Sequence, residues 1–200
     1  MAARAVQFVR SFVEFNNQST LTGRCADSRP QAFIWRPPDA GSFRLNFDAG
    51  RIGERGYGWG FVLRNQVGEI LLMGVMQGDG FSEPEVEEAR ACLFALRSVA
   101  DYGYGRLEVE GDCLNLIGRL LAKSPPNNLL GYFISDILSF LGTFDFISWH
   151  YIKRGGNKVA HALAHLQPYY YGVRIWSEGG PSSIYDLART DMCKFIELSI

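Results

Sequence analysis

The sequence has no long apolar run and little net charge. No stretch approaches the ~18 consecutive apolar residues that a membrane-spanning helix needs, so we expect no membrane partner. The formal net charge is −1, which argues against tight nonspecific binding of nucleic acid through bulk charge. Contact with nucleic acid must therefore come from local basic groups or from metal ions held by acidic ones.

Cysteine is also scarce. The four cysteines (Cys25, Cys92, Cys113 and Cys193) are far apart and form no Cys-x-x-Cys pair, so a reducing, intracellular compartment is predicted. Nucleus and cytoplasm both fit. An organelle is a further alternative for the location, because residues 1–15 carry apolar residues at helical spacing with interleaved arginines. This pattern fits a targeting helix or a packing helix.

The composition supports one domain with short extensions. The 200 residues are 47% hydrophobic, with 14 Phe and 9 Tyr, which is enough apolar material for a core. Residues 16–42 are polar and contain three prolines, so we interpret 1–42 as an N-terminal extension and linker. The domain is predicted over 43–166. Residues 167–200 have no strong period and are predicted to be a C-terminal extension packed on the outside.

The period of the apolar residues changes along this domain. Phe43, Leu45 and Phe47 alternate with polar residues and predict a strand. Two more strands, roughly 58–64 and 69–76, follow across short turns and predict an antiparallel meander. A capping box beginning at Ser82 then opens a helix, and the pattern continues as strand, helices, strand and helix. This order predicts an α/β domain with a mixed sheet.

Three acidic residues stand at strand ends or on a buried helix face. Asp48 ends the first strand, Asp112 ends the fourth, and Glu88 shares a helix face with Cys92 and Leu96. Because the first and fourth strands can be neighbours in such a sheet, the three carboxylates are expected to meet. Each also has a purely structural interpretation: a turn aspartate, a helix N-cap and a first-turn glutamate, respectively.

Converging carboxylates repel one another, and a divalent cation removes that cost. Magnesium and manganese are the ions that prefer hard oxygen ligands. Two such ions about 4 Å apart activate a water and stabilise the leaving oxygen in phosphodiester cleavage. Together the three acids fit either a Mg²⁺ or Mn²⁺ site suited to a nuclease or their three separate structural roles, and the residues alone leave both interpretations open.

Two further groups of polar residues remain open to alternatives. His161 and His165 share a helix face, but no acid or cysteine lies at a matching offset. Zinc is therefore not predicted, and His165 is interpreted as a surface or packing residue. Arg154, Asn157 and Lys158 belong to the densest basic patch near the acids. They fit either a solvated loop or phosphate contacts at a helix N-terminus, and we favour phosphate contact.

Four motifs, in order, resemble those of ribonuclease H-like domains, most closely the type found in plant retroelement-derived, reverse transcriptase-associated proteins. They are an opening hairpin, a glutamate helix, a strand with a further carboxylate, and a last strand, loop and helix. The corresponding residues are Leu45-Asn46-Phe47-Asp48 with Gly58-Trp59-Gly60-Phe61-Val62-Leu63-Arg64-Asn65; Glu88-Ala89-Arg90-Ala91-Cys92-Leu93; Val109-Glu110-Gly111-Asp112; and Trp149-His150-Tyr151 through Asn157-Lys158-Val159-Ala160-His161.

The resemblance implies a five-stranded mixed sheet with helices on both faces. It also implies that Asp48, Glu88 and Asp112 are the catalytic metal ligands of an endonuclease that cuts the RNA strand of an RNA–DNA hybrid. The family's fourth acidic metal ligand falls on His161, whose imidazole ligates magnesium poorly and manganese better. The loop histidine that helps turnover has no match, and a basic helical protrusion is absent. The alternative is a catalytically degenerate module that binds hybrid or structured RNA with the help of a metal ion but without turnover.

Overall fold

The computed structural model describes residues 34–54, 56–79, 82–167 and 172–199. Its centre is a mixed sheet in the order β5-β4-β1-β2-β3-β6. The strands are β1 (Phe43–Ile52), β2 (Gly56–Arg64), β3 (Ile70–Asp79), β4 (Arg106–Gly111), β5 (Phe146–Tyr151) and β6 (Gly172–Trp176). The helices are α1 (Pro84–Asp101), α2 (Leu114–Ala122), α3 (Leu129–Phe140), α4 (Lys158–Ala164) and α5 (Ser182–Ser199).

The first three strands form the predicted antiparallel meander. Asp48 faces Gly60 across the β1–β2 pair, and Gly60 faces Val75 across the β2–β3 pair. On its other side β1 pairs in parallel with β4, and β4 pairs in parallel with β5. The first and fourth strands are therefore neighbours, which the convergence of the acids requires.

Alternate residues of β2 point into two separate cores. Phe61 and Leu63 pack in the larger core with α1, α2 and α3. Val62, between them, packs in a smaller core with residues of α4 and α5. Because successive side chains of a strand point to opposite faces, the helices cover both faces of the sheet. The α/β class and its layered arrangement are confirmed.

The beginning of α1 differs from the predicted capping box. Glu83, not Ser82, is the N-cap, and its side chain makes no capping hydrogen bond. Pro84 occupies the first helical position, where the missing N–H is of no consequence. The backbone N–H of Ser82 instead donates to Oε1 of Glu87 at 3.3 Å. Glu87 is fully buried and also accepts from Trp59 Nε1 at 3.0 Å, so this carboxylate fastens the helix start to β2.

The C-terminal extension contributes a sixth strand to the sheet, where five were predicted. β6 pairs antiparallel with β3, with Gly74 opposite Ile175. Ile184 and Ala188 of α5 are buried in the smaller core. β6 was hidden because it is a short edge strand with three exposed residues. α5 was not predicted, although its buried residues Ile184 and Ala188 are four positions apart, as on one face of a helix.

The end of the predicted linker also packs on the domain. Trp35 is fully buried, and its Nε1 donates to Oδ1 of Asn46 at 3.0 Å. Residues 1–15 and Cys25 lie outside the described residues, so the predictions made for them stay predictions. Among the described residues, no helix has the length and apolar character to cross a membrane.

Candidate metal centre

Three elements bring the carboxylates of Asp48, Glu88 and Asp112 together. Asp48 lies within β1, Glu88 lies in α1, and Asp112 directly follows the end of β4. One carboxylate oxygen from each residue lies within 4.8 Å of the other two. The structure thus brings together the three acids that the sequence singled out, which are separated by as many as 64 positions.

Local contacts hold each of these acids in place. Asp48 is fully buried. The backbone N–H of Ala49, the next residue of β1, donates to the Glu88 carboxylate. Asp112 accepts from Arg154 Nε at 3.4 Å. The N-cap of α2 is Cys113 rather than Asp112, so the capping interpretation of Asp112 is not realised.

Burial and mutual repulsion disfavour the charged forms of two of these acids. Burial is the main cause that raises the pKa of Asp48, while a hydrogen bond from His161 opposes that rise. The pKa of Glu88 is well above its ordinary value, first because of burial and then because of the charges of Asp48 and Asp112. The cluster therefore holds more negative charge than its surroundings stabilise.

Two carboxylate oxygens of the cluster have no hydrogen-bond partner. They are Oδ1 of Asp48 and Oε2 of Glu88, and both atoms are buried. Buried polar oxygens without a partner are rare and call for an explanation. Three converging carboxylates with spare oxygens are the donor set that a hard divalent cation takes. These residues fit the ion that the sequence predicts.

His161 lies directly beside this cluster. Its Nδ1 is 2.8 Å from Oδ2 of Asp48, and this hydrogen bond is the main cause that raises the pKa of His161. The ring of His165 lies 4.2 Å from that of His161 between centroids. Nδ1 of His165 donates to the carbonyl oxygen of His161 at 2.9 Å.

Glycines opposite α4 let this helix approach the sheet closely. A Cβ at Gly60 would lie 2.4 Å from the backbone nitrogen of Ala164, and one at Gly50 would lie 2.2 Å from Cε1 of His165. Non-bonded atoms do not come this close to one another, so a side chain at either position would push the helix or the ring away. The glycine-rich hairpin thereby brings both histidines to Asp48.

Comparison with known proteins assigns the chain to a family. A family model described as reverse transcriptase-like matches residues 46–167. The chain belongs to this family. A search of curated protein sequences finds no relative that matches the chain.

Solved structures give the fold of this family member. It is similar to RNase H1 from the halophilic archaeon Halobacterium salinarum NRC-1, with 27% identity, 62% of this chain and 95% of that chain covered, and a TM-score of 0.57. The N-terminal RNase H domain of rv2228c from Mycobacterium tuberculosis is 16% identical, with 74% and 96% covered and a TM-score of 0.56. LC11-RNase H1, solved in complex with an RNA/DNA hybrid, is 18% identical, with 61% and 93% covered and a TM-score of 0.54. The domain is ribonuclease H-like.

The predicted nucleic-acid contacts of this ribonuclease H-like domain have different surroundings. Arg154 is 75% exposed and lies beside Asp112. Lys158 is exposed at the start of α4, where its charge acts on Asp191 of α5. Asn157 is buried: its Nδ2 donates to the carbonyl oxygen of Phe47 at 2.9 Å. Its amide thus joins the start of α4 to β1 inside the protein, and a contact between Asn157 and nucleic acid stays a prediction.

The sequence did not indicate that His165 lies close to Asp48. No acid lies at a matching offset within their helix, and the acid near both histidines is Asp48, which precedes them by more than 100 positions. Oxygen and nitrogen atoms of Asp48, His161 and His165 lie within 4.8 Å of one another. The signal in the sequence was the i, i+4 histidine pair in the helix after the last predicted strand, together with the glycines of the hairpin.

Proposed function

We propose that this chain is a divalent-metal-dependent endonuclease that hydrolyses the RNA strand of RNA–DNA hybrids. The observation that carries the proposal is the convergence of Asp48, Glu88 and Asp112 with two buried, unpartnered oxygens. Family membership and the similarity to RNase H structures support the same assignment. One of those similar proteins was solved with an RNA/DNA hybrid, which supports hybrid as the substrate.

The residues of the chain supply binding, orientation and charge. Asp48, Glu88 and Asp112 would hold Mg²⁺ or Mn²⁺. When bound, such a cation supplies Lewis-acid stabilisation of the negative charge that develops in phosphodiester hydrolysis. The Ala49 N–H orients Glu88 toward the cluster, and His161 holds a proton against Oδ2 of Asp48. The exposed guanidinium of Arg154, beside Asp112, is placed to contact a phosphate.

Cleavage of an end-labelled RNA–DNA hybrid in magnesium, and then in manganese, tests the proposal. Asp48→Asn keeps the shape of the side chain but removes its charge, so cleavage should fall to background while thermal unfolding shows a folded protein. Asp136→Asn is the matched control, because Asp136 lies on α3 with 61% of its side chain exposed. Cleavage by Asp48→Asn at the parental rate would refute the assignment.

A second candidate is a binding module that holds hybrid or structured RNA without turnover. The observation that favours it is His161, which stands where the family resemblance places a fourth acid and occupies Oδ2 of Asp48. Imidazole is a poor ligand for magnesium and a better one for manganese. No cleavage in either metal, with hybrid still bound by a folded protein, would support this candidate.

His161→Asp separates the two candidates. If the natural chain has lost turnover through this position, restoring an acid should raise cleavage markedly. If the variant cleaves at the rate of the natural chain, a fourth acid is dispensable in this active site. The same labelled hybrid and the same two metals serve for both measurements.

A further inference from the structure

We propose that Asp48, His161 and His165 form a second cation site, selective for a transition metal of the zinc class. This proposal deepens the proposed function, on which it rests for the role of Asp48 as a cation ligand. One donor atom from each residue lies within 4.8 Å of the other two. A carboxylate has two oxygens, so Asp48 is able to serve this site and the carboxylate cluster together.

The hydrogen bond made by His165 leaves one ring nitrogen available for a metal. A backbone carbonyl only accepts hydrogen bonds, so Nδ1 of His165, which bonds the carbonyl of His161, carries the proton. In the neutral ring Nε2 is then unprotonated and has a free lone pair. Metal-binding histidines in proteins typically donate their other nitrogen to a carbonyl or carboxylate in this way.

His161 and Asp48 already lie at nearly the spacing of two ligands on one metal ion. Its Nδ1 is 2.8 Å from Oδ2 of Asp48, while two donors on one tetrahedral zinc ion are roughly 3.4 Å apart, given metal–ligand distances of about 2.1 Å. A small opening of this pair, with loss of the shared proton, makes room for the ion. The other oxygen of Asp48, Oδ1, is buried without a partner.

The donor set determines which ion is preferred. Carboxylate clusters suit magnesium and manganese, whereas imidazole suits zinc, copper, iron and nickel. Two imidazoles and one carboxylate with an open position form the ligand pattern of many zinc sites. His161 is 38% exposed at its side chain and His165 is exposed, so an ion reaches the site from solvent.

Calorimetric titration of the metal-free, full-length protein with Zn²⁺ tests the site in the absence of nucleic acid. His165→Ala should weaken zinc binding at least about tenfold, since even groups that only orient a ligand are worth 10–100-fold in affinity. Gly50→Ala keeps both histidines but places a Cβ 2.2 Å from the His165 ring, so it should weaken binding as well. His150→Ala is the control, because this remaining histidine bonds Ser148 on β5 and should leave zinc affinity unchanged.

Titration with Co²⁺ adds a spectroscopic readout, because its visible absorption reports imidazole coordination and reveals any thiolate ligand. Zinc affinity that is equal in His165→Ala and the natural chain would overturn the proposal, as would an equal loss in His150→Ala or a thiolate spectrum. Absent zinc binding in a chain that cleaves hybrid would overturn this inference alone. Zinc binding that depends on His165 in a chain that never cleaves would overturn the nuclease assignment alone.

Discussion

The buried guanidinium of Arg64 depends on Asp191 of α5 for its counter-charge. The Arg64 side chain is 0% exposed, and its Nη1 lies 3.1 Å from Oδ2 of Asp191. Its Nη2 donates to Oδ1 of Asn46 at 3.3 Å, and its Cζ lies 3.5 Å from the centre of the Trp35 ring. Burial lowers the pKa of Arg64 to about 10, and the charge of Asp191 opposes that shift. Both extensions are therefore joined to the central sheet through one arginine.

Asp191→Asn should destabilise the protein substantially. The change leaves a buried cation whose carboxylate partner is gone, and removing one member of a buried ion pair costs about 3–5 kcal/mol. For a chain of this length each kcal/mol lowers the melting temperature by about 2–4 °C. The expected fall is therefore about 6–20 °C. Scanning calorimetry of the full-length variant measures it.

Asp186→Asn is the matched control for this prediction. Asp186 lies on the same helix and pairs with Arg189 at 2.8 Å, but the two side chains are 69% and 75% exposed. An exposed pair of this kind is worth about 0.3–0.5 kcal/mol, so the control should unfold almost as the natural chain does. If Asp191→Asn unfolds within 2 °C of that control, roughly the effect of 1 kcal/mol or less, the reasoning about Arg64 is refuted.

Three further predictions follow from the site and its supports. The pKa of Glu88 is raised in the folded protein by burial and by neighbouring acids. Its contribution to the free energy of unfolding of the metal-free protein is therefore fully present at pH values below the ordinary pKa of glutamate, and it is lost as the pH rises through the raised pKa of the folded state. In urea unfolding with a chelator present, the free energy of unfolding of Glu88→Gln should depend less steeply on pH than that of the natural chain. An equal dependence in the two proteins would contradict the pKa shift. Gly60→Ala, with its Cβ 2.4 Å from the Ala164 nitrogen, should lose about 1–3 kcal/mol in the same assay; neutral behaviour would show that α4 moves easily. Arg154→Ala should weaken hybrid binding and lower the salt slope by about 1, and an unchanged slope would remove Arg154 from the interface.

The elements and the three acids were predictable because their signals are local. Leu45 and Phe47 alternate with polar residues along one strand, and the helical spacing of Cys92 and Leu96 places Glu88 on the buried face of α1. One topological rule, that β4 can lie beside β1, was enough to bring Asp48 and Asp112 together. Patterns of period 2 and 3.6 carry this information within a few residues.

Other features depend on contacts between distant residues and were not predictable. Asn157 has the sequence context of a loop residue near a basic patch, yet its amide reaches the Phe47 carbonyl. The pairing of β6 with β3 leaves no period in the short segment that forms it. The proximity of His165 to Asp48 and Gly50 arises only when the hairpin packs against α4. No local pattern records such contacts.

The electrostatics of the carboxylate cluster bear on whether the cluster still needs a cation with His161 at the fourth position. Burial and the charges of neighbouring acids disfavour the ionised forms of Asp48 and Glu88, and each of these side chains has one buried oxygen without a hydrogen-bond partner. Together these effects lower the stability of the metal-free fold at neutral pH. A divalent cation satisfies those oxygens and removes the repulsion. His161 provides a hydrogen-bond partner for only one oxygen, Oδ2 of Asp48, and Oε2 of Glu88 remains without a partner. The replacement at the fourth position therefore leaves the need of the other three acids for a cation intact, so we expect this cluster to bind a divalent cation whether or not the domain turns over.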